Sequence, residues 1–164
     1  MVIIFSKGKR NGNRYIAFFD LDRTIIKTIS GKALVRSAFK KGLMTHSGLK
    51  NAITVILSSA ITPVCREVAK CLGMDDIVCT DLEVINEHYT GRSNGPPCFG
   101  EEKVSRLKKY CEKNNSTPKE AWYYGDSFSD FPVLNTVGHP VCINPDRKLK
   151  KKAIEKGWSI YYWR

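Results

Sequence analysis

Residues Tyr15–Thr24 read YIAFFDLDRT. An unbroken apolar run from Tyr15 to Phe19 is followed by two aspartates in i, i+2 register, Asp20 and Asp22, and then by Thr24. Five apolar residues, three of them aromatic, fit a strand buried on both faces, as in a parallel sheet. In an extended segment the two carboxylates leave on the same side, about 7 Å apart. That spacing suits one metal ion bridging both groups, or one reacting atom between a nucleophile and a proton carrier. A plain strand with an acidic turn is the alternative, and the remaining chain has to decide between them.

Working outward, strand-like and helix-like runs alternate. Ala52–Leu57 (AITVIL) is a second buried-strand pattern and runs into Ser58-Ser59. Thr62-Pro63 then reads as an N-cap and first helical position. Val64, Cys65, Val68, Cys71 and Leu72 fall on one helical face, and Gly73 is a good stop. Ile77–Thr80 is a short strand, and Leu82–Thr90 makes a hairpin. Gly100 opens a helix that places Val104, Leu107 and Cys111 on one face and ends near Asn114-Asn115. Ala121–Tyr124 delivers GDSFSD at 125–130, with a short helix at 131–135 behind it. Val137–Ile143 is a further strand, Asn144-Pro145 starts a helix to Lys156, and Trp158–Trp163 closes the sheet. Between the first two strands, a helical pattern covers Lys32–Lys41 and residues 43–50 read as a loop. Strands alternating with helices predict an α/β fold of Rossmann-like, three-layer type around a mostly parallel sheet.

The chain has 164 residues, 42% hydrophobic and 26% charged, which suits a single domain with a sizeable core. No apolar run reaches the roughly 20 residues that a bilayer span needs. The opening MVIIFSKGKR is too short and wrongly charged for a secretory signal, so a cytoplasmic protein without membrane contact is expected. Six cysteines at irregular spacing, mostly in apolar segments, read as reduced buried thiols. His46, His88 and His139 form no metal-binding pair. The net charge of +11 is uneven: residues 1–50 hold eleven basic side chains and two acids, which are Asp20 and Asp22, while the remainder nets only +2. Positive potential near the two acids would steer anionic substrates. A second basic run, RKLKKK at 147–152, reads equally well as a solvated face.

In parallel sheets ligands bind beyond the carboxyl ends of the strands. The polar residues expected at that edge are Asp20, Asp22, Thr24, Ser58, Asp126 and Asp130, with Lys103 arriving from the start of a helix. Carboxylate oxygens suit a hard cation such as Mg2+, and the amine and hydroxyl suit phosphate oxygens.

FDLDRT, LSS, GEEK and YYGDSFSDFPVL, in that order, resemble the four signature motifs of the haloacid dehalogenase superfamily, most nearly its phosphoserine phosphatase-like branch. GHPVCINPD at 138–146 resembles a further stretch of that branch. The resemblance implies a Mg2+-dependent phosphomonoester hydrolase with an aspartyl-phosphate intermediate. Asp20 is then the nucleophile and Asp22 the acid and base, with Lys103 neutralising charge. Thr24, Ser58 and Lys103 serve the phosphate site, and Asp20, Asp22, Asp126 and Asp130 serve the metal site. Ser58 is preferred over Ser59 as the serine directly after the apolar run. Ser129 stands where some relatives place asparagine beside the metal, with a helix N-cap as its other reading.

Relatives of this branch carry a helical cap between the first two motifs. Only 35 residues, Arg23 to Leu57, separate them here. The chain is therefore expected to be one core domain over 1–164, with a lead segment at 1–14 and a reduced cap region at 25–50. An open site would admit a phosphorylated small molecule or macromolecule, and it invites self-association. A catalytically weak capless core, or a basic module binding nucleic acid or phosphoprotein on the same fold, is the competing expectation.

Overall fold

The computed structural model describes residues 15–21 and 52–162. The expected helix at 32–41, the loop at 43–50, the reduced cap at 25–50, the lead segment, His46, Asp22 and Thr24 lie outside those residues.

Among the described residues six parallel strands form the central sheet: β1 (Tyr15–Phe19), β2 (Ala52–Ile61), β3 (Asp76–Thr80), β6 (Trp122–Gly125), β7 (His139–Ile143) and β8 (Ser159–Tyr161). Their order is β3-β2-β1-β6-β7-β8, so β1 lies between β2 and β6. Phe18 is level with Val55 on one side and with Tyr123 on the other. A separate antiparallel hairpin joins β4 (Leu82–Ile85) and β5 (His88–Ser93). Its turn residues, Asn86 and Glu87, both have positive φ, the backbone that matches the twist of a tight hairpin.

Side chains of successive strand residues point to opposite faces, and both faces of this sheet are covered. On one face Ile16, Phe18, Val55, Leu57 and Tyr123 pack with Val104, Leu107 and Cys111 of α2 (Gly100–Lys113). Leu134 of α3 (Phe131–Leu134) and Leu149 of α4 (Arg147–Lys156) complete that cluster. On the other face Ala17, Phe19, Ile56, Trp122 and Tyr124 pack with Cys65 and Ala69 of α1 (Thr62–Leu72). The apolar run of β1 is thus buried twice over, as its composition predicts.

Several boundaries differ from the expected ones. β2 does not end at Leu57 but continues through both serines to Ile61. Thr62 does not cap α1; its hydroxyl donates to the Thr80 carbonyl and to Asp81, so a tertiary partner has taken the group that capping would need. Val64 and Cys71 are exposed, and the buried stripe of α1 runs through Cys65 and Ala69. Asn144-Pro145 does not start the last helix. Asp146 caps it, accepting from the Leu149 amide at 2.8 Å. All six cysteines are free thiols; five are buried and Cys71 is exposed. Among the described residues no helix is long and apolar enough to cross a membrane.

Candidate active site

The face of β1 that carries Ile16 and Phe18 also carries Asp20, because all three are even-numbered along an extended chain. That face is covered by α2, and α2 supplies Lys103 from its first turn. The Asp20 amide donates to the Tyr124 carbonyl at 2.9 Å, which fixes the strand end against β6. Beyond β6, Gly125 turns the chain into the 126–130 loop, so Asp126 and Asp130 return to the same edge.

The Lys103 ammonium donates to Asp20 Oδ1 at 2.8 Å and to Asp130 Oδ1 at 2.7 Å. All three side chains are buried, as is Asp126. Tyr123, fully buried on the same strand face, donates its hydroxyl to Asp130 Oδ1 at 2.8 Å, and its ring lies 5.4 Å from the Lys103 Nζ. Sequence reasoning passed over Tyr123 as one more apolar strand residue. The signal available was an alternation that places its hydroxyl beside the acids.

The electrostatics are those of one cation among three anions. Burial pushes Asp20 up to about 7; Lys103 opposes this, while Asp130 and Asp126 add to it. Burial by itself would lower the Lys103 ammonium, but Asp130 and Asp20 outweigh it and hold the group above its ordinary value. Asp20, Asp126 and Asp130 can each direct one carboxylate oxygen to within 4.8 Å of the others. Asp130 Oδ2 is buried without a hydrogen-bond partner among the described residues. Three carboxylates and one ammonium leave a formal charge of minus two in a buried place. Oxygen donors with that excess fit a hard divalent cation such as Mg2+.

The cleft above this cluster is lined by Asp20, Ser59, Phe99, Lys103, Ser127 and Ser129, with Asp126 and Asp130 at its floor. Ser59, not Ser58, is the serine on the cleft wall. Ser58 is fully buried and its hydroxyl accepts from the Ala60 amide at 3.1 Å. β2 continues through both serines with a register shift against β3 between Leu57 and Ile61, and it is Ser59 that joins Asp20 in the lining of the cleft. Ser129 is not the N-cap of its turn. Ser127 is, accepting from the Ser129 amide at 3.3 Å, and the Ser129 hydroxyl donates to Ser127 at 3.1 Å. Asp146 braces this loop: its amide donates to the Asp126 carbonyl at 2.8 Å and its Oδ2 accepts from Phe128 N at 2.7 Å. Despite desolvation, the amides of Leu149, Phe128 and Lys148 and the Ser127 hydroxyl hold the Asp146 carboxyl below its usual value.

Residues 46–135 match the family model of haloacid dehalogenase-like hydrolases, which is more than half of the chain. The chain belongs to that family. Over 115 residues it is 36% identical to the histidinol-phosphatase of Neisseria meningitidis serogroup C (strain 8013), covering 65% of this chain and 50% of that protein. The chain spans half or less of the curated relatives it matches. Its fold is similar to that of a protein of unknown function from Bordetella pertussis Tohama I, with a TM-score of 0.72 at 20% identity over 90% of this chain and 98% of that one. It is also similar to a phosphoserine phosphatase solved as a phospho-aspartyl intermediate analogue, with a TM-score of 0.62 at 14% identity over 90% and 92%. The α/β haloacid dehalogenase-like fold is thereby shown. The family model begins at residue 46, so its match does not include Asp20.

Proposed function

We propose that the chain is a phosphomonoester hydrolase that forms an aspartyl-phosphate on Asp20 and works with Mg2+. The observation that carries this reading is the Lys103 ammonium wedged between Asp20 and Asp130 on the floor of an open cleft. A phosphate dianion is repelled by three carboxylates, so a cation has to be present before it can approach Asp20. Mg2+ held by Asp20, Asp126 and, as the resemblance adds, Asp22 would supply that shielding and polarise the phosphoryl group. A phosphatase relative and the four motifs in order support the same reading.

In the proposed sequence an Asp20 carboxylate oxygen attacks phosphorus while the bond from phosphorus to the leaving oxygen breaks. Asp22 gives its proton to that oxygen. A water molecule then attacks phosphorus and yields a proton to Asp22, and the bond to Asp20 breaks. Inorganic phosphate leaves and both carboxyl groups return to their starting states. Lys103 has three N–H donors. Two hold Asp20 and Asp130 in place, and the third is assigned to a phosphoryl oxygen. Asp130 positions Lys103, and Tyr123 positions Asp130. The hydroxyl assigned to the phosphoryl group is that of Ser59 on the cleft wall, with Thr24 ordering the segment between the two acids.

Turnover of 4-nitrophenyl phosphate with Mg2+ tests the proposal. Asp20→Asn should lower it on the order of 10³-fold; full Mg2+-dependent activity in that variant would overturn the nucleophile assignment.

A further inference from the structure

Phe99 has an unusual position for a large apolar side chain. It is 61% exposed, yet it lines the same cleft as Asp20 and Lys103, four residues before that lysine. Its backbone is held on both sides. The Phe99 amide donates to the Pro97 carbonyl at 2.8 Å, and its carbonyl accepts from Glu102 N at 3.1 Å. The preceding Cys98 is fully buried and donates its amide to Thr80 Oγ1 at 3.0 Å. Arg106, one turn beyond Lys103, donates to the carbonyls of Cys79 and Pro96 and so fastens the loop to the end of β3. Gly100 follows with φ +55°, a backbone that favours glycine and that turns the chain directly from Phe99 into α2.

A ring presented on a backbone this well fixed is pre-organised, and stacking on it costs little conformational entropy. Serines 59, 127 and 129 supply the polar wall of the cleft, and Phe99 supplies its apolar surface. We infer that Phe99 is the specificity-determining residue of the site, and that the preferred substrate is a phosphomonoester whose leaving group carries an aromatic ring. This rests on the proposed function for the location of the phosphate, against Lys103. With the phosphate there, the leaving group extends along the cleft past Phe99, and a flat ring covers the exposed phenyl face.

The test compares phenethylphosphonate with propylphosphonate, which cannot be hydrolysed, by calorimetric titration in the presence of Mg2+. The chain should bind the phenethyl compound about five- to tenfold more tightly. In Phe99→Ala that ratio should collapse toward one, and Phe99→Trp should restore it. Equal affinities, no binding of either compound, or a ratio that survives in Phe99→Ala would overturn the inference. Phosphate ester hydrolysis is read separately. A chain that hydrolyses nothing but keeps the phenethyl preference refutes the proposed function alone, while one that turns over phenethyl and propyl phosphate equally refutes the role of Phe99 alone.

Discussion

Gly125→Ala tests whether the acid cluster depends on the close approach of β6. A Cβ at residue 125 would stand 2.8 Å from Asp130 Oδ2 and 2.8 Å from Tyr123 Cε1. Relaxed contact begins near 3.5 Å, so each of these neighbours has to retreat by about 0.7 Å. Neither does so cheaply. Tyr123 is fully buried, and Asp130 Oδ1 is held by Lys103 at 2.7 Å and by the Tyr123 hydroxyl at 2.8 Å. Moving Asp130 by that amount stretches the ammonium contact to about 3.4 Å, beyond the range of a good hydrogen bond. Overpacking of this kind costs about 1–3 kcal/mol. With a urea slope of about 2 kcal/mol/M, a loss of about 2 kcal/mol lowers the unfolding midpoint by roughly 1 M. Because Lys103 is released from one of its two anchors, activity should fall together with stability. A Gly125→Ala protein whose urea midpoint lies within about 0.2 M of the parent, with unchanged phosphate ester turnover, would refute the reasoning.

Ser59→Ala should lower kcat/KM for a phosphate ester about tenfold, the worth of a hydrogen bond to a charged group, whereas Ser58→Ala should cost stability and leave kcat/KM nearly intact; steady-state kinetics with thermal melts separate the two. Asp146→Ala removes the cap of α4 and the brace on the 126–130 loop, so it should cost about 1–2 kcal/mol in denaturant unfolding. Since the Asp146 carboxyl is held below its usual value, its contribution is present above the unfolded value of about 4 and is lost as pH falls below it; the penalty of the variant should therefore shrink in acid. Asp20 has the opposite sign. Its value of about 7 in the metal-free protein means that its contribution is complete below about pH 4 and is lost as pH rises through 7. Mg2+ should accordingly raise the melting temperature more at pH 8 than at pH 5, and an equal shift at both would contradict the metal assignment.

The parallel α/β sheet was legible because β1, β2 and β6 are continuous apolar runs buried on two faces, whereas the strand order was not read from the sequence. Asp20, Lys103, Asp126 and Asp130 meet as expected, since each follows a strand end or opens a helix at the carboxyl edge. Hydrophobicity alone misplaced the serines. Apolar character stops at Leu57, but the strand continues to Ile61 through a register shift against β3, an irregularity that the hydrophobic pattern does not contain. The cap at Thr62 was misread for a related reason: small polar side chains choose partners by tertiary proximity, and a sequence window does not contain Asp81 beside Thr62. The Tyr123 hydroxyl and the tight space at Gly125 arise only once β6 and the 126–130 loop fold back on each other.

The place of β1 between β2 and β6 also bears on how the protein assembles. Residues 52–162 contain five of the six strands, but without β1 they present two raw edges facing one another across a gap. The gap is closed by the five residues of β1, whose pairing with β2 closes a shorter stretch of chain than its pairing with β6. Insertion of β1 and delivery of Asp20 are then one event. Asp20 meets Lys103 and Asp130 only when β1 is in place, so the proposed activity, appearing during refolding, would report the completion of the sheet.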